Sequence, residues 1–182
     1  MVQEVFSDGK GQYKAYLIDF DFAIEAGARE PGFSPTHRTV ITPFLALELT
    51  TESEHRPRAL YRHDLESFFW TYWWIAIYYG GDFRRPLKRR RLSSSRRKDD
   101  FVDWYVGTFG AIRRRKAAFL DDPYSIHLSP GMESLHPNIQ KLRELFNDAN
   151  DCLRRQRRNP RPDFDQETID GLITYEGIRA LL

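Results

Sequence analysis

Cysteine is nearly absent: Cys152 is the only one in 182 residues. An intrachain disulfide and a multi-cysteine metal site are therefore excluded, and a reducing, intracellular compartment, cytoplasmic or nuclear, is expected. Long apolar runs are also missing. The longest, FFWTYWWIAIYY at 68–79, has twelve residues, short of the roughly 20 that span a bilayer. No membrane partner is expected, and no basic-then-apolar leader with a small-residue cleavage site opens the chain. Charge of one sign does not dominate, since 28 basic residues face 26 acidic ones and leave a net +2. That balance argues against a chain built wholly for nucleic acid. The five histidines, at 37, 55, 63, 127 and 136, show no metal-ligand spacing on one helix face. His63 reads as a packed or half-exposed ring. No internal repeat is visible.

What is present is enough for a core. Hydrophobic residues make up 41% and aromatics 14%, too much for a disordered chain. The length suits a single domain over 1–182. The cations are 22 Arg against 6 Lys, a bias toward two-pronged contacts with carboxylate or phosphate.

The run at 68–79 is the organising element. Asp64 stands before it in the position of a helix N-cap, Glu66 falls in the first turn, and Gly80-Gly81 closes it. A helix over about 65–79 would be apolar on every face and so buried on all sides. Upstream, Glu4–Phe6 and Tyr13–Phe20 read as strands around the turn signal Asp8-Gly9-Lys10-Gly11, a β-hairpin. Residues 25–42 read as a long loop, of a length that is usually functional or disordered. Residues 84–98, RRPLKRRRLSSSRRK, carry nine basic and no acidic residues and read as an exposed, mobile insert. A helical pattern resumes over 101–120. Over 137–156, Ile139, Leu142, Phe146, Ala149 and Leu153 step by three and four behind Pro137. Asn159-Pro160 stops that helix, and a short last one runs from about Thr174. The fold class is α+β, mainly α-helical.

Three segments fall in a telling order: LIDFDFAI (17–24), RTVITPFLALEL (38–49) and YRHDLESFFWTYWWIA (61–76). Together they resemble the C-terminal lobe of a protein kinase, most closely the fungal-type protein kinase family. In kinases a strand ends in Asp-Phe-Gly, a loop ends in Ala-Pro-Glu, and a hydrophobic helix with an early Asp anchors the lobe. The matching residues here are Asp19-Phe20-Asp21, Ala46-Leu47-Glu48 and Asp64. WYVGTFGAIRRRKAAFL (104–120) also resembles a family segment, through Trp104, Ala111, Lys116, Phe119 and Leu120. The resemblance covers roughly 13–120.

It implies ATP-dependent phosphoryl transfer to protein Ser or Thr. Asp19 would hold Mg²⁺ on the nucleotide phosphates, against the plainer reading of a strand-end Asp capping a turn. Asp21 stands where most kinases have Gly and reads as a solvated turn residue, ahead of the alternative of a second metal ligand. Glu48 would form a buried ion pair with an Arg from the later helices, in 154–161. Asp64 would brace the catalytic loop or simply cap its helix. Ser93, in Arg90-Arg91-Leu92-Ser93, fits what basophilic kinases modify. The same insert could instead serve as a solvated loop or a nuclear import signal. Nucleic-acid binding is the weakest reading, because no aromatics interleave with the charges.

Other kinase parts are missing. Only eighteen residues precede Asp19, with no His-Arg-Asp and no Asn among them. No Gly-rich loop, strand Lys with helix Glu, or catalytic base is in place. Val40-Ile41 also replaces the family's Gly-Thr, and Ile41 cannot hydrogen-bond. The expectation is a kinase-like lobe that is inactive alone, with Mg-ATP binding doubtful. It would pair with a protein partner or an absent N-terminal lobe, or be a fragment of a longer reading frame. Two other classes compete: a non-catalytic protein-interaction module and a basic-loop nuclear factor.

Overall fold

The computed structural model describes residues 2–7, 10–15, 42–51, 57–79, 107–122 and 127–182. The chain divides into two compact units, Met1–Arg38 and Thr39–Leu182. In the first, strands β1 (Val2–Ser7) and β2 (Lys10–Ala15) pair antiparallel, with Val2 opposite Ala15 and Ser7 opposite Lys10.

The second unit is helical. Its elements are α1 (Tyr61–Tyr78), α2 (Phe109–Asp121), α3 (His136–Arg158) and α4 (Tyr175–Leu181), with 3-10 turns at Thr42–Phe44, Leu47–Leu49 and Glu133–Leu135. The protein is mainly α-helical. Among the described residues no helix is long and apolar enough to cross a membrane.

α1 is the hub. Phe69, Trp70, Trp73 and Ala76 are buried, each large side chain contributing roughly 1.5–3 kcal/mol. The Trp73 ring lies 4.3 Å from Phe119 of α2, and Phe69 stacks on Phe146 of α3 at 5.1 Å. Burial is not complete around the helix, contrary to what its apolar run suggests. Phe68 is 50% exposed and Tyr61 42%, so α1 turns one edge away from the core.

The start of α1 also differs from the sequence expectation. The helix begins at Tyr61, with Leu60 as its N-cap. Asp64 is therefore not the cap; it lies within the first turn, where its charge still favours the positive helix end. The capping work is done by other side chains. The Leu60 N–H donates to Nδ1 of His63 at 3.0 Å, and the Tyr61 N–H donates to Oε2 of Glu167 at 2.9 Å. At the other end, the Ser129 N–H donates to the Ala76 carbonyl at 2.9 Å and its hydroxyl to that of Ile77.

α2 and α4 start conventionally: Thr108 accepts from the Ala111 N–H at 3.2 Å, and Thr174 from Gly177 at 3.0 Å. On α3 the stripe Ile139, Leu142, Phe146 and Ala149 is buried, with Arg155, Arg157 and Arg158 in the last turn, where cations suit the negative end. Buried Arg143 donates to the Leu120 carbonyl at 2.6 Å and fixes the end of α2 to α3. Between α3 and α4, Ile169, Asp170 and Gly171 are all left-handed, with φ of 57°, 55° and 82°. That conformation costs a non-Gly residue roughly 1–2 kcal/mol. Burial of Ile169 and the bonds that the Asp170 carboxylate accepts from the Asp165 N–H and from Arg161 hold it.

Candidate functional site

The 3-10 turn at Leu47–Leu49 brings Ala46-Leu47-Glu48 against α1, and bonds to several of its polar groups hold it there. The Leu45 carbonyl accepts from Nζ of Lys116 on α2. The Leu47 N–H donates to Oε1 of Glu66 at 2.7 Å, and the same oxygen accepts from Nε1 of Trp70 at 3.0 Å. The Leu47 carbonyl accepts from the buried Thr50 hydroxyl at 2.6 Å.

Glu48 is the centre of the charge network. Its Oε2 accepts from Nη2 of Arg62 and from Nε2 of His63 at 3.1 Å. Its Oε1 accepts from Nη2 of Arg157 at 2.6 Å. Burial alone would raise the Glu48 pKa. The His63 hydrogen bond, the Arg62 charge and the Arg157 hydrogen bond outweigh it, and hold the carboxyl down at about 2. It is an anion throughout the neutral range.

His63 is fixed by geometry. Its Nδ1 accepts the Leu60 N–H, so the proton of the neutral ring sits on Nε2 and points at Glu48. Arg62 works in two directions, because its Nη1 also donates to the Gln166 carbonyl at 2.8 Å. Glu48, the start of α1, the end of α3 and the 161–173 loop thus form one network.

Lys116 is wholly buried, with its ammonium 4.7 Å from the centre of the Trp70 ring. Burial pushes its pKa down to about 7, against the upward pull of the Glu66 charge.

Asp19, Asp21 and Ser93 lie outside the described residues, as do residues 84–98. Glu48 meets Arg157, which falls within the 154–161 stretch, and also Arg62, which the sequence reading did not single out. Asp64 is exposed on the first turn of α1. Arg62, Glu66 and Trp70 are spaced by four, so they share one side of α1; this was the available signal. Glu167, 106 positions from Tyr61, had none. Chemically the network neutralises charge and fixes backbone. Each Glu48 oxygen is committed to donors, which leaves it unsuited to proton transfer.

The sequence of this segment places it among known proteins. Residues 1–76 match the fungal protein kinase family. The match takes in Asp19, Glu48 and Asp64 and ends at Ala76, within α1. It starts earlier than the resemblance drawn from the motifs and stops before the 104–120 segment. The fungal-kinase segment therefore supplies the anion, Glu48, and its nearest partners, Arg62 and His63. Lys116 and Arg157 come from beyond it. No curated protein and no solved structure matches the chain significantly.

Proposed function

We propose that the chain is a protein-kinase-like domain of the fungal family, built as a C-terminal lobe, with a β-hairpin leading to Asp19. The family match over residues 1–76 carries this reading. The bonding of Ala46-Leu47-Glu48 to α1, α2 and α3 supports it, since the segment that resembles Ala-Pro-Glu is fixed to the helices that would anchor a lobe. The family transfers phosphate from ATP to protein hydroxyls. Within these 182 residues there is no His-Arg-Asp to accept the hydroxyl proton. The chain alone is therefore expected to be inactive, and to need a protein partner or a further lobe. Asp19 would hold Mg²⁺ if nucleotide binds.

The test is phosphoryl transfer by the purified chain with Mg-ATP and a mixed protein acceptor. No transfer above that of Asp19→Ala is expected, and clear transfer above it overturns the assignment of inactivity. A second reading, a non-catalytic interaction module, is favoured by one observation: the core of Thr39–Leu182 is assembled from its own helices. It predicts partner capture that survives Asp19→Ala.

A further inference from the structure

The face of α3 that carries Phe146 and Leu153 also carries Asn150 and Arg157, in steps of three and four. Arg157 bonds Glu48, whereas Asn150 has no bond of that kind among the described residues. Both line a void, part of it open to solvent, between α2, α3 and the Glu48 network. Arg113 of α2 lines the same void.

The charges around it do not balance. Three guanidinium groups, from Arg62, Arg113 and Arg157, meet two carboxylates, Glu48 and Glu66. Glu48 is already saturated by Arg62, His63 and Arg157. Oε1 of Glu66 is taken up by Leu47 and Trp70, and the carboxylate faces the Lys116 charge. Neither forms an ion pair with Arg113 among the described residues. The side chains of Arg113 and Asn150 make no hydrogen bond or ion pair among the described residues. Arg113 and Asn150 thus line one void with no such bond of their own, and Arg157, about half exposed, lies beside them. Apolar walls from Leu120, Phe146 and Leu153 lower the local dielectric and strengthen any charge-assisted bond formed there.

We propose that this void is a binding site for a phosphate group. Arg113 would supply the two-pronged contact and Asn150 a further donor, with Arg157 adding charge. Phosphate suits the donor set better than carboxylate, because its three or more oxygens can use two guanidinium groups and an amide at once. The group comes either as free inorganic phosphate or as the side chain of a phosphorylated serine.

The experiment measures thermal stabilisation and binding heat of the full chain, at constant ionic strength set with sodium chloride. The probes are inorganic phosphate, the peptide acetyl-Gly-phosphoserine-Gly-amide and its unphosphorylated form. Saturable stabilisation by phosphate or phosphopeptide is expected, with none from the unphosphorylated peptide. Tighter binding of the phosphopeptide assigns the site to a protein side chain, and tighter binding of inorganic phosphate to the free anion. Arg113→Gln should weaken binding at least about tenfold, the loss of a charge-assisted contact, and Asn150→Ala by less. Should Arg113→Gln fail to fold, Asn150→Ala decides. No saturable binding, or affinity unchanged in the folded variants, overturns the proposal.

Discussion

Glu48 and Lys116 fasten the same short segment to the helices, but in opposite ways. Glu48 sits at the edge of the core, 17% exposed, with both oxygens engaged by three donors. Lys116 is fully enclosed and holds a carbonyl and an aromatic face. For Glu48 the surroundings favour the charged form, and its pKa falls below the usual carboxylate value. For Lys116 burial disfavours the charged form, and its pKa falls below the usual lysine value. The same direction of shift therefore has opposite meaning for stability. A charge with matched partners adds stability, whereas a charge withdrawn from water is tolerated for the contact it makes.

Removing Glu48 should have the largest effect. Arg62 is only 4% exposed, and Glu48→Ala would leave it buried without a counter-charge. A loss of about 3–5 kcal/mol is expected in urea unfolding. The acid limb of stability gives the finer check. The folded carboxyl titrates near 2, against 4.5 for a free one. Between these values the unfolded state binds more protons, so stability rises with pH. The Glu48 contribution is complete above pH 4.5 and lost as pH falls toward 2. Glu48→Gln should flatten that part of a plot of melting temperature against pH. An unchanged acid limb would mean that the carboxylate is not held by its three donors.

Lys116→Met comes next. It keeps most of the buried volume but leaves the Leu45 carbonyl without its donor, a cost of about 1–3 kcal/mol. Relief from burying an ammonium offsets part of this, so the net loss should stay below that of Glu48→Ala. The pH signature is again specific. The folded ammonium releases its proton near pH 7, and the unfolded one near 10.5. Between those values the unfolded state holds more protons, and stability rises with pH. Lys116→Met should remove this rise. Equal losses for the two variants, with matching pH profiles, would erase the contrast between the anchors.

Parts of this arrangement are legible in the residues alone because they depend on local pattern. The stripe from Ile139 to Ala149 has helical spacing, and Asn159-Pro160 marks its end. The order of Asp-Phe-Asp, Ala-Leu-Glu and the aromatic helix points to the family. The link from Glu48 to the 154–161 stretch is likewise readable through that resemblance. The start of α1 is not. Asp is a strong cap former and Leu is not, so local preference favours Asp64. The fold instead satisfies the free N–H groups with His63, one turn ahead, and with Glu167, brought near only by the loop after α3. All-round burial of α1 fails for a related reason. Composition says how apolar a helix is, but packing decides which edge meets neighbours, and Phe68 falls on the edge that does not.

The smallest expected effect separates those two accounts of the helix start. Glu167→Ala removes the acceptor of the Tyr61 N–H. It should cost about 1 kcal/mol, as loss of a capping side chain does. Asp64→Ala leaves that bond intact and removes a first-turn charge, worth about 0.3–1 kcal/mol at low salt. The two losses also respond differently to salt. Screening should shrink the Asp64 effect, because salt weakens what an exposed charge contributes to the helix end. The Glu167 effect should persist, because a directed bond of 2.9 Å is lost. Urea melts of both variants in low salt and in 1 M sodium chloride measure this. If Asp64→Ala proved the costlier and the less salt-sensitive, the helix would start where the local sequence suggests, and the long-range cap from Glu167 would be of no consequence.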